Sequence, residues 1–106
     1  MRVLLDQGTP APLAKHLSAH HVSTAHELDW GDLKNGELLQ QAEDGGFEVL
    51  VTTDQNLKYQ QNLAPRKIGI VVLTTTSWPR IQKHVNAVVD AVASATPSSY
   101  IEIAIP

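Results

Sequence analysis

The sequence has 106 residues, of which 42% are hydrophobic and 18% charged, with a net charge of −3 at pH 7 and no cysteine. These values fit one globular domain and exclude disulfides, thiolate zinc sites and cysteine nucleophiles. The absence of excess Lys and Arg argues against strong non-specific binding to nucleic-acid backbones. The start of the chain turns polar too soon for a signal peptide, and no apolar run is long enough to span a membrane. We therefore expect a cytoplasmic protein without a membrane partner.

Apolar runs alternate with helical patterns along the chain, which predicts a single three-layer α/β domain over residues 1–106 with a mostly parallel five-stranded sheet. In chain order, the predicted strands are Val3–Leu5, Val22–Thr24, Phe47–Thr52, Ile68–Leu73 and Tyr100–Ile105. The last of these alternates apolar and polar residues, which is typical of a half-exposed strand at the edge of a sheet.

Three main helices are predicted between these strands. The first follows Thr9, an expected N-cap, and Pro10, which suits the first helical position. The second is expected from Asn35 to Asp44, where the pair Gly45–Gly46 ends it. The third follows Ser77, an expected cap, and carries an apolar stripe with helical spacing that runs from Ile81 to Val92.

Two of the predicted strands end close to a carboxylate. Asp6 follows the first strand, and Asp54 follows the third within the stretch VLVTTDQNL. If these strands are neighbours, both carboxylates enter the crevice beyond the carboxyl ends of the strands, where doubly wound sheets bind ligands. Glu37, in the first turn of the second helix, is the expected third acid. Converging carboxylates repel unless a cation joins them, and oxygen ligands suit Mg²⁺ or Mn²⁺.

Each acid also has a purely structural interpretation. The helix dipole by itself favours a carboxylate at Glu37, near the start of a helix. An Asp after a strand often accepts hydrogen bonds from its own backbone in a turn, which applies to both Asp6 and Asp54.

The segments VLLDQGTP, NGELLQQAEDGGFEVLVTTDQNL and IGIVVL resemble the small PIN-like domains, particularly the short DUF5615 (Mut7-C-like) group. That group carries an LLDEN-like first strand, an acidic residue that opens a middle helix, and a T-x-D-x-D/N-F-like segment. The resemblance implies a metal-dependent ribonuclease, often the toxin half of a toxin–antitoxin pair. It therefore implies RNA as substrate, an antitoxin protein as partner, and catalytic metal ligands at Asp6, Glu37 and Asp54.

Neighbouring polar side chains are expected to support these acids and to hold the substrate. The supporting side chains are Gln7, Asn35, Thr53 and Asn56, and Asn35 is also an alternative to Glu37 in the family pattern. Lys58 and Tyr59 pair a cation with an aromatic ring, a combination that single-strand binders use, although a solvated loop has the same composition. Gln7 and Asn56 stand where relatives often have acids, which predicts weaker metal binding.

Two other functions compete with the nuclease, and one other site was considered. A non-catalytic binding or dimerisation module with a degenerate acidic site is favoured by the reduced number of acids, and its partner would be a second copy of the chain. A receiver-like phosphoacceptor also has acids at these strand ends, but it requires a second acid where Gln7 stands. A zinc site at the histidines between residues 20 and 26 lacks a fourth ligand.

Overall fold

Five strands form one sheet in the computed structural model, which describes all 106 residues. They are β1 (Arg2–Leu5), β2 (His21–Thr24), β3 (Val49–Thr52), β4 (Gly69–Leu73) and β5 (Tyr100–Ile103). Every pair of neighbours is parallel, and the order across the sheet is β2-β1-β3-β4-β5. The predicted five-stranded α/β fold is confirmed, and the sheet is wholly parallel because β5 also pairs in parallel.

The central strands are apolar without alternation. All residues of β3 and β4 are buried, and so are Val3, Leu4 and Leu5 of β1. A parallel sheet has helices on both faces, so that side chains pointing either way enter a core. The run VLV before Thr52 is therefore what a central strand of this sheet requires.

The helices agree only partly with the predicted positions. The structure has a 3₁₀ helix (Ala11–Leu17) and four α-helices, α1 (Asn35–Asp44), α2 (Leu57–Gln60), α3 (Trp78–Gln82) and α4 (Val85–Ser94). The predicted bounds of α1 are confirmed, and Gly46 after it has a positive φ of 81°. The short α2 was not predicted. None of the helices combines the length and apolar character needed to cross a bilayer.

The predicted cap at Thr9 is wrong, and so is the single third helix, whereas Ser77 does occupy its predicted N-cap position. Pro10 occupies the N-cap position of the 3₁₀ helix, while the Thr9 hydroxyl donates a hydrogen bond of 3.1 Å to the carbonyl of Val51 instead. Ser77 lies at the N-cap position of α3 without a side-chain capping bond. The predicted third helix is divided into α3 and α4 because His84 leaves the helical conformation, at φ −124° and ψ 22°.

Two apolar layers hold the helices against the sheet. On one face, Val3, Leu5, Val51 and their neighbours pack against the 3₁₀ helix, α3 and α4. On the other face, Leu4 and Leu50 pack against α1 and α2. These layers confirm the three-layer architecture.

The order of the strands reverses at β1. The chain leaves β1 toward β2 on one side and later returns to β3 on the other side, and these connections run over opposite faces of the sheet. The crevice between β1 and β3 is thus the topological switch point, the place where open α/β sheets bind ligands. Asp6 and Asp54 follow these two strands.

Candidate functional site

One buried hydroxyl connects the segments that carry Asp6 and Asp54. Thr52, the last residue of β3, is 1% exposed, and its Oγ1 donates a hydrogen bond of 2.8 Å to Oδ2 of Asp6. The same oxygen accepts a hydrogen bond of 3.1 Å from the main-chain N–H of Asp54. The expectation that these two strand ends meet is therefore confirmed, through pairing of β1 with β3.

The second oxygen of Asp6 is held by the backbone. Its Oδ1 accepts a hydrogen bond of 2.7 Å from the main-chain N–H of Gln7. The carbonyl of Asp6 also accepts a hydrogen bond of 2.9 Å from the N–H of Thr9, which closes a turn. The structural interpretation of Asp6 as a turn residue is correct, and it is compatible with ligand binding because each carboxylate oxygen has two lone pairs.

Asp54 likewise combines a turn with a side-chain partner. Its Oδ1 accepts a hydrogen bond of 2.9 Å from the N–H of Asn56, the pattern of an Asx turn. Its Oδ2 accepts a hydrogen bond of 2.7 Å from the side-chain amide of Asn35, the first residue of α1. That amide nitrogen also donates to Oε1 of Gln60 at 3.0 Å. Asn35 thus joins α1 to both the Asp54 loop and α2.

Asn35, rather than Glu37, is the α1 side chain that contacts Asp54. Glu37 is exposed in the first turn of α1 and makes no side-chain hydrogen bond. No group of three or more His, Cys, Asp or Glu side chains in the chain lies close enough together to hold a metal ion. The structure therefore brings Asp6 and Asp54 together without bringing a third acid to them.

The remaining expected supporting side chains lie around this pair. Thr53 approaches Gly8 so closely that a Cβ on Gly8 would lie 2.8 Å from the Thr53 hydroxyl oxygen. Gln7 packs in the same way on Gly31, where a Cβ would lie 2.7 Å from the Gln7 Oε1. Asn56 contributes its main-chain N–H to Asp54 and is exposed. These contacts show that the Thr53 and Gln7 side chains pack closely against the backbone at positions 8 and 31.

A cation lies between two aromatic rings beside the site. The Lys58 Nζ is 5.2 Å from the centre of the Tyr59 ring and 5.7 Å from that of Tyr100, within the range of cation–π attraction. Tyr59 is 77% exposed. This exposure leaves one face of the ring available to an incoming aromatic group. Arg66, by contrast, is paired with Glu43 at 3.1 Å.

Tyr100 was not anticipated as part of this region. Its hydroxyl is buried and has no hydrogen-bond partner. Burial raises the pKa of Tyr100 above its ordinary value of 10.0, and the carboxylate of Glu102 acts in the same direction. The only local signal in the sequence was an aromatic residue at the start of an edge strand, which does not identify what the hydroxyl faces.

A cleft opens on the other side of Asp6, over the carboxyl ends of β1 and β2. It has a volume of about 400 Å³, and its lining includes His26 and Glu27 from the loop after β2. A second concavity of about 190 Å³ lies at the amino ends of the strands, away from both acids, next to Glu48 and Lys67. Unlike the second concavity, the cleft at Asp6 lies at the carboxyl edge of the sheet and shares Asp6 with the switch point between β1 and β3.

The chemistry of the donor set fits a hard divalent cation. Asp6 and Asp54 supply carboxylate oxygens, and the Oδ1 of Asn35 has no hydrogen-bond partner within the protein. Mg²⁺ is commonly bound through one or two carboxylates while it keeps several waters and contacts substrate phosphates. Two acids at the switch point satisfy this requirement, although without the additional charge that a third acid would bring.

Comparisons with protein-family models, with curated proteins and with solved structures find no match to this chain. The resemblance to PIN-like domains therefore stays a prediction that depends on the sequence motifs.

Proposed function

We propose that this chain is a PIN-like ribonuclease that depends on Mg²⁺ or Mn²⁺ and hydrolyses RNA phosphodiesters in the cytoplasm. The observation that carries the proposal is the pairing of Asp6 and Asp54 through Thr52 at the switch point of the sheet. The proposed family assignment rests on the sequence motifs around these two residues. An antitoxin protein that holds the nuclease inactive is part of the same proposal.

Each residue of the site has a defined task. Asp6 and Asp54 bind the cation, and Asn35 orients the Asp54 carboxylate through its bond to Oδ2. When bound, the ion supplies Lewis-acid polarisation of a phosphoryl oxygen and lowers the pKa of a water molecule. Lys58 attracts the RNA backbone, and the exposed ring of Tyr59 stacks on a base. A chain with a net charge of −3 needs such local help to approach RNA.

A binding module without catalysis is the second candidate. It is favoured by the position of Asn35, whose neutral amide contacts Asp54 where an acid would complete the set of ligands. Every oxygen of the two carboxylates already accepts one hydrogen bond within the protein. In this alternative, the acids serve the fold, and the chain binds a second copy or an RNA without cleaving it.

The receiver-like alternative is favoured by the strand order alone. The order β2-β1-β3-β4-β5 is the flavodoxin-like one, which receiver folds share. It ranks third because Gln7 stands in place of the second acid and because both oxygens of Asp54 are engaged.

Two measurements on purified protein test the proposal. The first is the melting temperature in EDTA and in millimolar Mn²⁺, and the second is cleavage of a panel of single-stranded RNAs in the same buffers. We expect Mn²⁺ to raise the melting temperature and to support cleavage. Asp6→Asn and Asp54→Asn should each remove both effects. Asp90→Asn, which changes an exposed acid of α4, is the matched control and should retain them.

The outcomes separate the three candidates. Cleavage that persists in both Asp6→Asn and Asp54→Asn would show that the activity comes from another site or a contaminant. If Mn²⁺ leaves the melting temperature unchanged and no RNA is cleaved, the result favours the binding module. Transfer of phosphate from acetyl phosphate to Asp54 would establish the receiver-like alternative instead.

A further inference from the structure

The cleft beside Asp6 is built almost entirely from polar side chains. The residues that matter for its chemistry are Asp6, Gln7, Thr9, Thr24, His26 and Glu27, and only one of the seven lining residues, Ala11, is hydrophobic. Its volume of about 400 Å³ falls within the range of pockets that hold small organic ligands. The cleft is larger than a site for a single ion or water.

The cleft contains no Lys or Arg. Two acidic residues, Asp6 and Glu27, belong to its lining, so that its charge disfavours a phosphate and favours a group that donates hydrogen bonds. Glu27 is exposed, and its carboxylate makes no hydrogen bond within the protein, whereas its main-chain N–H donates to the Thr24 hydroxyl at 3.0 Å. That bond fixes the loop and leaves the carboxylate free for a ligand.

We infer that this cleft binds the nucleoside next to the cleaved phosphodiester, and that Glu27 selects guanine. The inference rests on the proposed function for the position of the phosphodiester, since Asp6 belongs both to the proposed metal site and to the wall of the cleft. The phosphate then lies on the side of Asp54, and the ribose and base extend over β1 toward β2. The absence of basic residues in the cleft agrees with a neutral nucleoside there.

Guanine is the base that a single carboxylate recognises best. Its Watson–Crick edge presents two neighbouring donors, N1–H and the exocyclic amine, which match the two oxygens of Glu27 in a bidentate arrangement. Cytosine and adenine present one exocyclic amine, and uracil presents one ring N–H. The imidazole of His26, next to Glu27 in the same loop, offers a ring on which a base can stack, as in other sites for unpaired bases.

The test compares guanosine with inosine, which differs only by lacking the exocyclic amine. Binding of each nucleoside is measured in EDTA by NMR, from the shifts of backbone amides around the cleft, so that neither metal nor cleavage enters the measurement. We expect guanosine to bind about tenfold more tightly than inosine because it makes one more charge-assisted hydrogen bond. Cytidine and uridine should bind more weakly than guanosine.

Substitutions test whether Glu27 is the residue that discriminates guanosine from inosine. Glu27→Gln should bring the affinity for guanosine down to that for inosine, while His26→Ala should weaken both nucleosides without changing their ratio. Glu102→Gln is the matched control, because Glu102 is an exposed glutamate of β5, at the opposite edge of the sheet. The tenfold ratio should survive in that control. Because His26 and Glu27 are exposed, both variants should keep the fold, and circular dichroism of each variant checks this.

Equal binding of guanosine and inosine, no nucleoside binding, or an unchanged ratio in Glu27→Gln would overturn the inference. These failures are distinct from a failure of the proposed function. RNA cleavage without nucleoside discrimination would disprove only the guanine cleft. Nucleoside discrimination without any cleavage would disprove the nuclease and leave the cleft as a nucleoside-binding site.

Discussion

The hydroxyl of Thr52 donates a hydrogen bond of 2.8 Å to the Asp6 carboxylate and accepts one of 3.1 Å from the main-chain N–H of Asp54. Because Thr52 is 1% exposed, water does not readily replace this hydroxyl if it is removed. This buried hydroxyl thus links the loops after β1 and β3, in addition to the pairing of these strands and the main-chain hydrogen bond of 2.9 Å from Asp6 to Val51.

Replacing Thr52 by Val should therefore disturb the site without changing the volume of the core. Thr52→Val leaves the Oδ2 of Asp6 and the N–H of Asp54 without their partner, which should lower the free energy of unfolding by about 1–3 kcal/mol. Urea denaturation measures the change. Thr76→Val, at an exposed position in the loop before α3, is the control and should remain within about 0.5 kcal/mol of the parent. Equal stability of the two variants would mean that the bridge does not contribute.

Asn35→Asp introduces an acid at the α1 position that already contacts Asp54. The substitution removes the amide that donates a hydrogen bond to Asp54, and the new carboxylate repels the carboxylate of Asp54. In EDTA, the protein should therefore be less stable than the parent by about 1–3 kcal/mol. Mn²⁺ should raise the melting temperature of this variant by more than that of the parent, because three acids then share the cation. Asn86→Asp, on the exposed side of α4, adds the same charge elsewhere and should show neither effect. A variant that gains nothing from Mn²⁺ would place the cation site away from Asn35.

Tyr59→Ala should separate RNA binding from stability. Because the ring is 77% exposed, its loss should change the free energy of unfolding by less than about 0.5 kcal/mol. Affinity for a labelled single-stranded RNA, measured by fluorescence anisotropy in EDTA at low salt, should fall by about tenfold or more because stacking on a base contributes about 1–3 kcal/mol. Tyr59→Phe keeps the ring and should bind RNA like the parent. Unchanged affinity in Tyr59→Ala would remove this residue from the substrate path.

Tyr100→Phe tests the buried hydroxyl that has no partner. Removing this group should leave stability at neutral pH unchanged or raise it by up to about 1 kcal/mol, because no hydrogen bond is lost. A decrease greater than about 1 kcal/mol would show that the hydroxyl has a partner in solution.

The Tyr100 hydroxyl should also make the free energy of unfolding depend on pH, and Tyr100→Phe tests this. Burial holds the pKa of Tyr100 above its ordinary value of 10.0 in the folded protein. As the pH rises past the ordinary value of 10.0, the unfolded chain therefore releases the phenolic proton before the folded chain does. The unfolded chain then binds fewer protons, so that stability falls as pH increases. The free energy of unfolding of the parent, measured by urea denaturation between pH 9 and pH 11, should decline more steeply than that of Tyr100→Phe, and parallel curves would contradict the assignment.

Local signals in the sequence were sufficient to predict elements that are determined by residues close together in the chain. The bounds of α1 were predicted because an amphipathic pattern runs into Gly45 and Gly46, and Gly46 adopts the positive φ that favours glycine. The predicted cap at Thr9 failed because its hydroxyl bonds to Val51, a residue 42 positions away. A competing partner at that distance leaves no mark in the local sequence.

The sequence by itself determined that the fold is α/β and that Asp6 and Asp54 follow strands, because apolar runs and strand ends are local patterns. Only the tertiary structure decided that β1 and β3 are neighbours, that Thr52 joins the two segments, and that Asn35 rather than Glu37 contacts Asp54. The hydroxyl of Thr52 and the carboxylate of Asp6 are 46 residues apart in the chain. Their contact exists because β1 pairs with β3 in the sheet, and this long-range pairing cannot be read from either short segment alone.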